Sequence, residues 1–299
     1  MSKIIQCLKI LSISKTYLEL VKELNISRLE LLELIGMINE IEPGLINANE
    51  LSCIYITREV DWLNNNELDM LFLHNKLPLV PITILDEVNS TNSFALENIA
   101  KFTTKSVITT EYQSQGRGRS DKRWISKIAT DITVSIVYWF DVNTAFDVLP
   151  LVVAVAINRL FKDFKIQTKI KWPNDIYSAD GNKIGGILIE SKIHNKERCL
   201  VIGIGIDNIA MLSRNILLFS LLKHVDNVIS EFMIFGFSLL RQEWLDNCIH
   251  YNKPIKILQN NIVIDTGINT GVNANGALLV SSDNKTIEYH STNISLAYN

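Results

Sequence analysis

Residues 171–191 read KWPNDIYSADGNKIGGILIES: Lys171, Trp172, Asn174 and Asp175 crowd one turn, and Lys183 stands just before the pair Gly185–Gly186. A lysine ahead of paired glycines at the start of a strand is placed to hold a phosphoryl oxygen, while the missing side chains admit a ligand against the backbone. Asn174 and Asp175 add an amide and a carboxylate suited to a nucleotide and its Mg2+. The glycine pair also reads as a strand bulge, and Pro173 equally supports a purely structural turn. A second cluster lies upstream: QSQGRGRSDKRW, residues 113–124, sets Gly116 and Gly118 among Arg117, Arg119, Lys122 and Arg123 and ends on Trp124. Glycines alternating with arginines permit close backbone approach while guanidinium forks meet carboxylate or phosphate oxygens. Taken alone, this run also reads as a solvated basic loop with some affinity for nucleic acid. There is no GxxxxGK[ST] motif, and GIGIDN at 203–208 lacks the third glycine of a dinucleotide fingerprint.

The chain as a whole offers no field to explain those cations. Its formal net charge is −3 over 299 residues, so contact with nucleic acid or an anionic membrane has to come from a local patch. Hydrophobic residues make up 47% and charged residues 20%, a globular profile long enough for two or three domains. Cys7, Cys53, Cys199 and Cys248 have no CxxC spacing, which argues against a zinc cage, redox pair or disulfide framework. Lys9 interrupts the N-terminal apolar run, and the longest apolar run, VLPLVVAVAI at 148–157, is half of the roughly twenty residues a membrane span needs. The expectation is a cytoplasmic protein without membrane contact.

Leucine and isoleucine recur at helical spacing over 3–13, 16–24 and 28–40, with Ser27 and Glu30 spaced as a capping box. Short apolar segments near 45 and at 53–57 follow as the strands of a wing, so the N-terminus reads as a winged helix-turn-helix. Strand-like ITIL, SVITT, DITVSIVYW, IKW, GGILIES and LVIGIGI are interrupted by helix-like 91–101 and 146–162, an α+β pattern with a largely antiparallel sheet. Residues 230–250 read as one long amphipathic helix, and the last 46 residues as a small β-barrel. The domains are thus drawn at 1–63, 64–252 and 253–299.

In order and spacing, STN (90–92), EYQSQGRGR with Trp124 beyond it, KWPNDIY, KIGGILIE and VIGIGI resemble the biotin protein ligases. The likeness runs from about residue 66 to the end, and the N-terminal helices are similar to those of the bifunctional ligase-repressors. It implies a class II synthetase-like mixed or antiparallel sheet and a C-terminal SH3-like barrel. It implies activation of biotin by ATP to biotinyl-5′-adenylate with release of pyrophosphate, then transfer to a lysine of the biotin carboxyl carrier protein of acetyl-CoA carboxylase. The resemblance assigns Ser90, Thr91, Asn92, Gln113, Gly116, Arg117, Gly118, Arg119, Lys183, Gly185 and Gly186 to biotin. To ATP it assigns Arg119, Lys122, Arg123, Trp124, Lys171, Asn174, Lys183, Asp207 and Asn208. Arg117, Lys183 and Asp175 carry the chemistry, with Asp175 at a Mg2+ ion. Ser90 doubles as a helix cap, and lipoate or octanoate is the alternative acyl group. Ser120 and Asp121 stand where relatives carry arginine and glycine, Asp207 stands at the usual asparagine, and the connection 209–229 is short and apolar.

Operator DNA, contacted through Ser27, Arg28 and the wing, and a homodimer formed on adenylate binding are further partners of the ligase-repressors. The charges here oppose DNA: residues 1–60 hold six cations against eight glutamates. The module reads as a repressor, as a brace on the ligase or as a protein-contact surface. A repressor that uses biotinyl-adenylate only as a signal would modify no protein.

Overall fold

Two capping boxes set the N-terminal helices of the computed structural model, which describes residues 2–49, 53–120, 122–142, 146–282, 285–291 and 294–297. Thr16 and Ser27 each accept the backbone N–H three residues on, and Glu19 and Glu30 return the bond. The elements here are α1 (Lys3–Ile10), β1 (Lys15–Thr16), α2 (Tyr17–Leu24), α3 (Arg28–Ile41), β2 (Ile46–Ala48) and β3 (Cys53–Ile56). The strands pair in the order β1-β3-β2, and Ile5, Leu8, Leu20, Leu31, Ile38 and Ile54 fill the space between sheet and helices. Helices over the three expected stretches and two short strands after them are present; β1 is an addition.

After α4 (Asn65–His74), capped by Asn64, the chain builds a seven-stranded sheet in the order β4-β5-β6-β10-β9-β8-β7. Its strands are β4 (Ile82–Val88), β5 (Ser106–Gln113), β6 (Ile132–Asp141), β7 (Thr168–Lys171), β8 (Asp175–Ser178), β9 (Lys183–His194) and β10 (Glu197–Ile206). Among the described residues of this sheet, β4 and β5, joined across α5 (Thr91–Glu97), are the one parallel pair of neighbouring strands. Strand β8 follows so closely on the turn at 171–175 that a reading of that stretch as one turn hides it.

One face of this sheet is apolar and covered by α6 (Leu149–Asp163) and α7 (Arg214–Phe235), with α8 (Phe237–Asn247) packed beside them. Val134, Ile136, Ile187, Ile202 and Ile204 meet Val152, Ala156, Leu218 and Leu222 there. Two sequence expectations change. The helix drawn over 230–250 is two helices, broken at Gly236, whose φ of 73° and ψ of 179° suit glycine alone. Most of 209–229, read as a connection, lies within α7: Leu217, Leu218, Leu221, Leu222, Val225, Val228 and Ile229 give it a buried stripe behind the sheet.

The last five strands are β11 (Pro254–Gln259), β12 (Ile262–Val272), β13 (Leu278–Ser282), β14 (Lys285–Tyr289) and β15 (Ile294–Ala297). They form an antiparallel sheet ordered β14-β13-β12-β11-β15. Asn260 and Asn261, both at positive φ, turn β11 into β12. Its core residues Ile255, Ile257, Leu278 and Val280 join the apolar cluster of the central sheet. The N-terminal helices keep a separate cluster that takes in Tyr112, Ile128 and Ala129. Arg214, wholly buried, ties the linker to the sheet: it donates to the Asp61 carbonyl at 2.6 Å, to the Asp131 carbonyl at 3.1 Å and to Glu111. Among the described residues no helix is long and apolar enough to cross a membrane.

Candidate active site

Strand register creates a patch with few side chains on the other face of the central sheet. Gly205 pairs with Gly186 on one side and Thr133 on the other; Gly203 pairs with Leu188 and Ser135. Paired residues project to the same side, so Gly186, Gly203 and Gly205 form a floor. Over it lies a cavity of about 550 Å3, a volume typical of small-molecule sites.

Uncharged polar groups close one end. Ser90 caps α5, and Thr91 N donates to Gln113 Oε1 at 2.8 Å. Ser135 Oγ lies 2.7 Å from Thr91 Oγ1 and donates to Asn92 Oδ1 at 2.6 Å. Asn92 Nδ2 donates to the Leu188 carbonyl at 3.1 Å and to Glu190 at 2.8 Å. Glu190 in turn receives both bonds of Arg117 Nη2, at 2.7 and 3.0 Å. An unbroken chain of bonds therefore joins the amide-rich end to the first arginine. Neither Ser135 nor Glu190 was singled out from sequence; the only signal was a polar residue inside each strand-like run.

The cationic loop folds back on itself. Gly118 N donates to the Lys122 carbonyl at 2.6 Å and Trp124 N to the Gly116 carbonyl at 2.8 Å. Arg117, Gly118, Arg119, Ser120, Lys122, Arg123 and Trp124 thereby line the cavity; Asp121 lies outside the described residues. The indole of Trp124 rests on the floor: a Cβ on Gly205 would come within 2.3 Å of the ring, and one on Gly186 within 3.2 Å. Its Nε1 is buried without an acceptor.

The β7–β8 hairpin supplies the far wall. Across its cis Trp172–Pro173 turn, Lys171 pairs with Asp175 in register, and the turn is pinned by Trp172 N on His250 Nε2 at 3.1 Å. Lys183 Nζ sits 2.7 Å from Asp175 Oδ1 and 5.7 Å from the Trp124 ring centre. Arg119 donates to Asn174 Oδ1 at 3.1 Å and to the Ser291 carbonyl, binding loop, hairpin and C-terminal sheet together. Burial lowers the pKa of Lys171, which lies 5.6 Å from the Tyr177 ring centre. Asn260, Asn261, Ile294, Ser295 and Leu296 complete the rim.

Arg117 and Lys183, far apart in sequence, thus face one cavity, with side chains 43% and 42% exposed. Ser90, Thr91, Asn92, Gln113, Gly118, Arg119, Lys122, Arg123, Trp124, Lys171, Asn174, Asp175 and Gly186 line it with them. Four expected residues do not. Gly116 is needed because a Cβ there would lie 2.5 Å from the Trp124 carbonyl, and a Cβ on Gly185 would meet the Gly205 carbonyl at 3.2 Å; both glycines serve packing. Asn208 folds its amide onto Leu212, accepting from N at 2.9 Å and donating to O at 2.7 Å. Asp207 sits at the end of β10, outside the cavity lining. Ser27 and Arg28 lie on the N-terminal module, the Ser27 hydroxyl engaged in its capping box.

Burial, reinforced by Asp131, pushes the Asp207 carboxyl from 3.8 up to about 6. A carboxyl raised on folding contributes stability that is complete below its unfolded value and lost as pH rises through about 6. Asp207→Asn should therefore raise the melting temperature at pH 7.5 by about 2–4 °C and change it little at pH 5. An equal shift at both pH values in a thermal melt would contradict this.

Among the described residues no group of three or more His, Cys, Asp or Glu side chains could hold a metal ion. Asp175 is the one carboxylate among the described residues lining the cavity.

Residues 84–207, which carry nearly all of this site, match the biotin/lipoate A/B protein ligase family. The chain is 28% identical over 242 residues to the bifunctional ligase/repressor BirA of Salmonella typhimurium, covering 72% of this chain and 74% of that one. It is 29% identical over 228 residues to its Escherichia coli counterpart, covering 68% and 70%. In fold it is similar to a biotin protein ligase from Aquifex aeolicus in complex with biotin and ATP, with a TM-score of 0.63 at 21% identity over 74% of this chain and 100% of that one. The family match spans the glycine floor and both cationic segments, so residues 84–207 are similar to a biotin/lipoate A/B protein ligase domain and the chain is a ligase.

Proposed function

We propose that this ligase activates biotin with ATP and passes the biotinyl group to a lysine of the biotin carboxyl carrier protein of acetyl-CoA carboxylase. The observation that carries the reading is one cavity with an uncharged amide and hydroxyl end, a glycine floor and a cationic end. Ser90, Thr91, Asn92 and Gln113 are suited to a neutral ureido ring, and the floor admits flat groups against the backbone. A biotin carboxylate oxygen attacks the α-phosphorus, the bond to the β-phosphate oxygen breaks and pyrophosphate leaves. The carrier amine then attacks the acyl carbonyl, AMP departs and the amine loses a proton. Two anions meet in the first step, and Arg117, Arg119 and Lys183 offset their repulsion. Each of these cations is held by an acceptor in the wall, so each stands poised before substrate arrives. A lone carboxylate fits Mg2+ carried mainly by substrate phosphates: Asp175 would hold it, and the ion would neutralise developing phosphate charge.

A test is biotin-dependent release of pyrophosphate with retention of biotinyl-5′-AMP. The same mixture should protect the loop from trypsin at Arg117, Arg119, Lys122, Arg123 and Lys127, because ordering over the adenylate excludes water and protease alike. Release driven equally by lipoate or octanoate would favour the alternative acyl group; cleavage unchanged by ligand would contradict loop closure.

We assign residues 1–63 to a winged helix-turn-helix, 64–252 to catalysis and 253–299 to an SH3-like barrel. DNA binding by the first is disfavoured by its own recognition helix: Leu29, Leu32 and Met37 are exposed on α3 beside Glu33 and Glu40. A brace fits better, and a salt-dependent mobility shift on a biotin-operon promoter, with adenylate present, separates the two. A homodimer joined through a sheet edge is the expected assembly on adenylate binding.

A further inference from the structure

Resting on the ligase reading above, we infer that Glu42 and Arg58 of the N-terminal module are positioning residues for the cationic loop, holding its C-terminal end so that it stays closed over the activated intermediate. Residues 113–127 hang between two anchors, and both belong to the apolar cluster of the N-terminal helices rather than to that of the catalytic sheet. Tyr112 enters that cluster on one side, and Ile128 and Ala129, both fully buried, on the other. The polar contacts are more specific still. Ile128 N donates to Glu42 Oε2 at 3.1 Å, and the Ile128 carbonyl accepts from Arg58 Nη2 at 2.6 Å. Glu42 and Arg58 are bonded to each other at 2.8 and 2.9 Å, and Arg58 Nη1 also donates to the Glu59 carbonyl at 2.9 Å.

A charge pair from one module thus takes both backbone polar groups of the first residue beyond the loop. Charge-assisted bonds are stronger than neutral ones, and these side chains are only 22% and 19% exposed, so solvent screens them incompletely. Fixing the far end of a loop removes part of its open ensemble, which lowers the entropy lost on closure. Neither residue touches the cavity. Their influence travels through Ile128, and by linkage a loop ordered by ligand tightens the module in return.

The test uses the full chain with biotin and Mg·ATP. Biotinyl-adenylate is trapped without acceptor, and its release is followed by chase. Glu42→Gln and Arg58→Met should each release it about five- to tenfold faster, the cost of one such bond. The KM for biotin should rise while kcat for adenylate formation stays within about twofold, a split that general unfolding would not produce. Tryptic cleavage of the liganded loop should rise in parallel, and Arg58→Lys, which keeps the charge, should fall between. Lys22→Ala, on the exposed side of α2, should release adenylate as the unaltered chain does. Variants that melt like the unaltered chain and retain adenylate as long would overturn the inference while leaving the ligase reading intact. An unaltered chain that forms no adenylate would overturn the ligase reading and this inference with it.

Discussion

Lys183→Ala is expected to slow adenylate formation by about a hundredfold, the loss typical of removing one preorganised donor from developing charge. Lys183 Nζ is 2.7 Å from Asp175 and faces the same cavity as Arg117. Its removal does two things. It deletes a cation, and it leaves the Asp175 carboxylate without that partner in a cavity where two anions must meet. The second effect makes the loss larger than that of an ordinary surface lysine. Rates read from pyrophosphate release at saturating biotin and ATP separate this from weaker binding; a loss confined to KM would assign Lys183 to uniform binding.

The second large effect is expected at Gly203. A Cβ there would lie 2.4 Å from Asn92 Oδ1, closer than real Cβ contacts come. Asn92 has little room to yield, because Ser135, the Leu188 carbonyl and Glu190 all hold its amide. Gly203→Ala should therefore push Asn92 out of place and raise the KM for biotin by about tenfold to a hundredfold, from an overpacking cost of about 1–3 kcal/mol. Calorimetric titration with biotin checks this. Unchanged affinity would mean that Asn92 can move freely and is not part of the ligand wall.

Both predictions rest on glycines and cations that stand out in the sequence, because neither helix nor strand propensity calls for them at those positions. The same reasoning missed Ser135 and Glu190. Which face of a strand a residue occupies depends on register across the whole sheet, and no local pattern encodes that. Asp207 and Asn208 lie outside the cavity lining for a related reason: the way β10 ends decides which way the chain carries their side chains, and Asn208 closes a turn on Leu212. Helix α7 was legible in its apolar spacing, but the run has no side-chain cap and leads directly to Gly236, where the break shifts the apparent helix toward the C-terminus. The bonds from Glu42 and Arg58 to Ile128 span 86 and 70 residues and leave no mark on composition or periodicity.

The central claim is that two cationic, glycine-containing segments enclose one activated acyl-nucleotide and deliver its acyl group to protein. The most direct measurement is the intact mass of a biotin carboxyl carrier domain after incubation with the chain, biotin and Mg·ATP. A gain of one biotinyl group that requires both biotin and ATP is expected. An unchanged mass, with a carrier that another biotin protein ligase does modify, would contradict it.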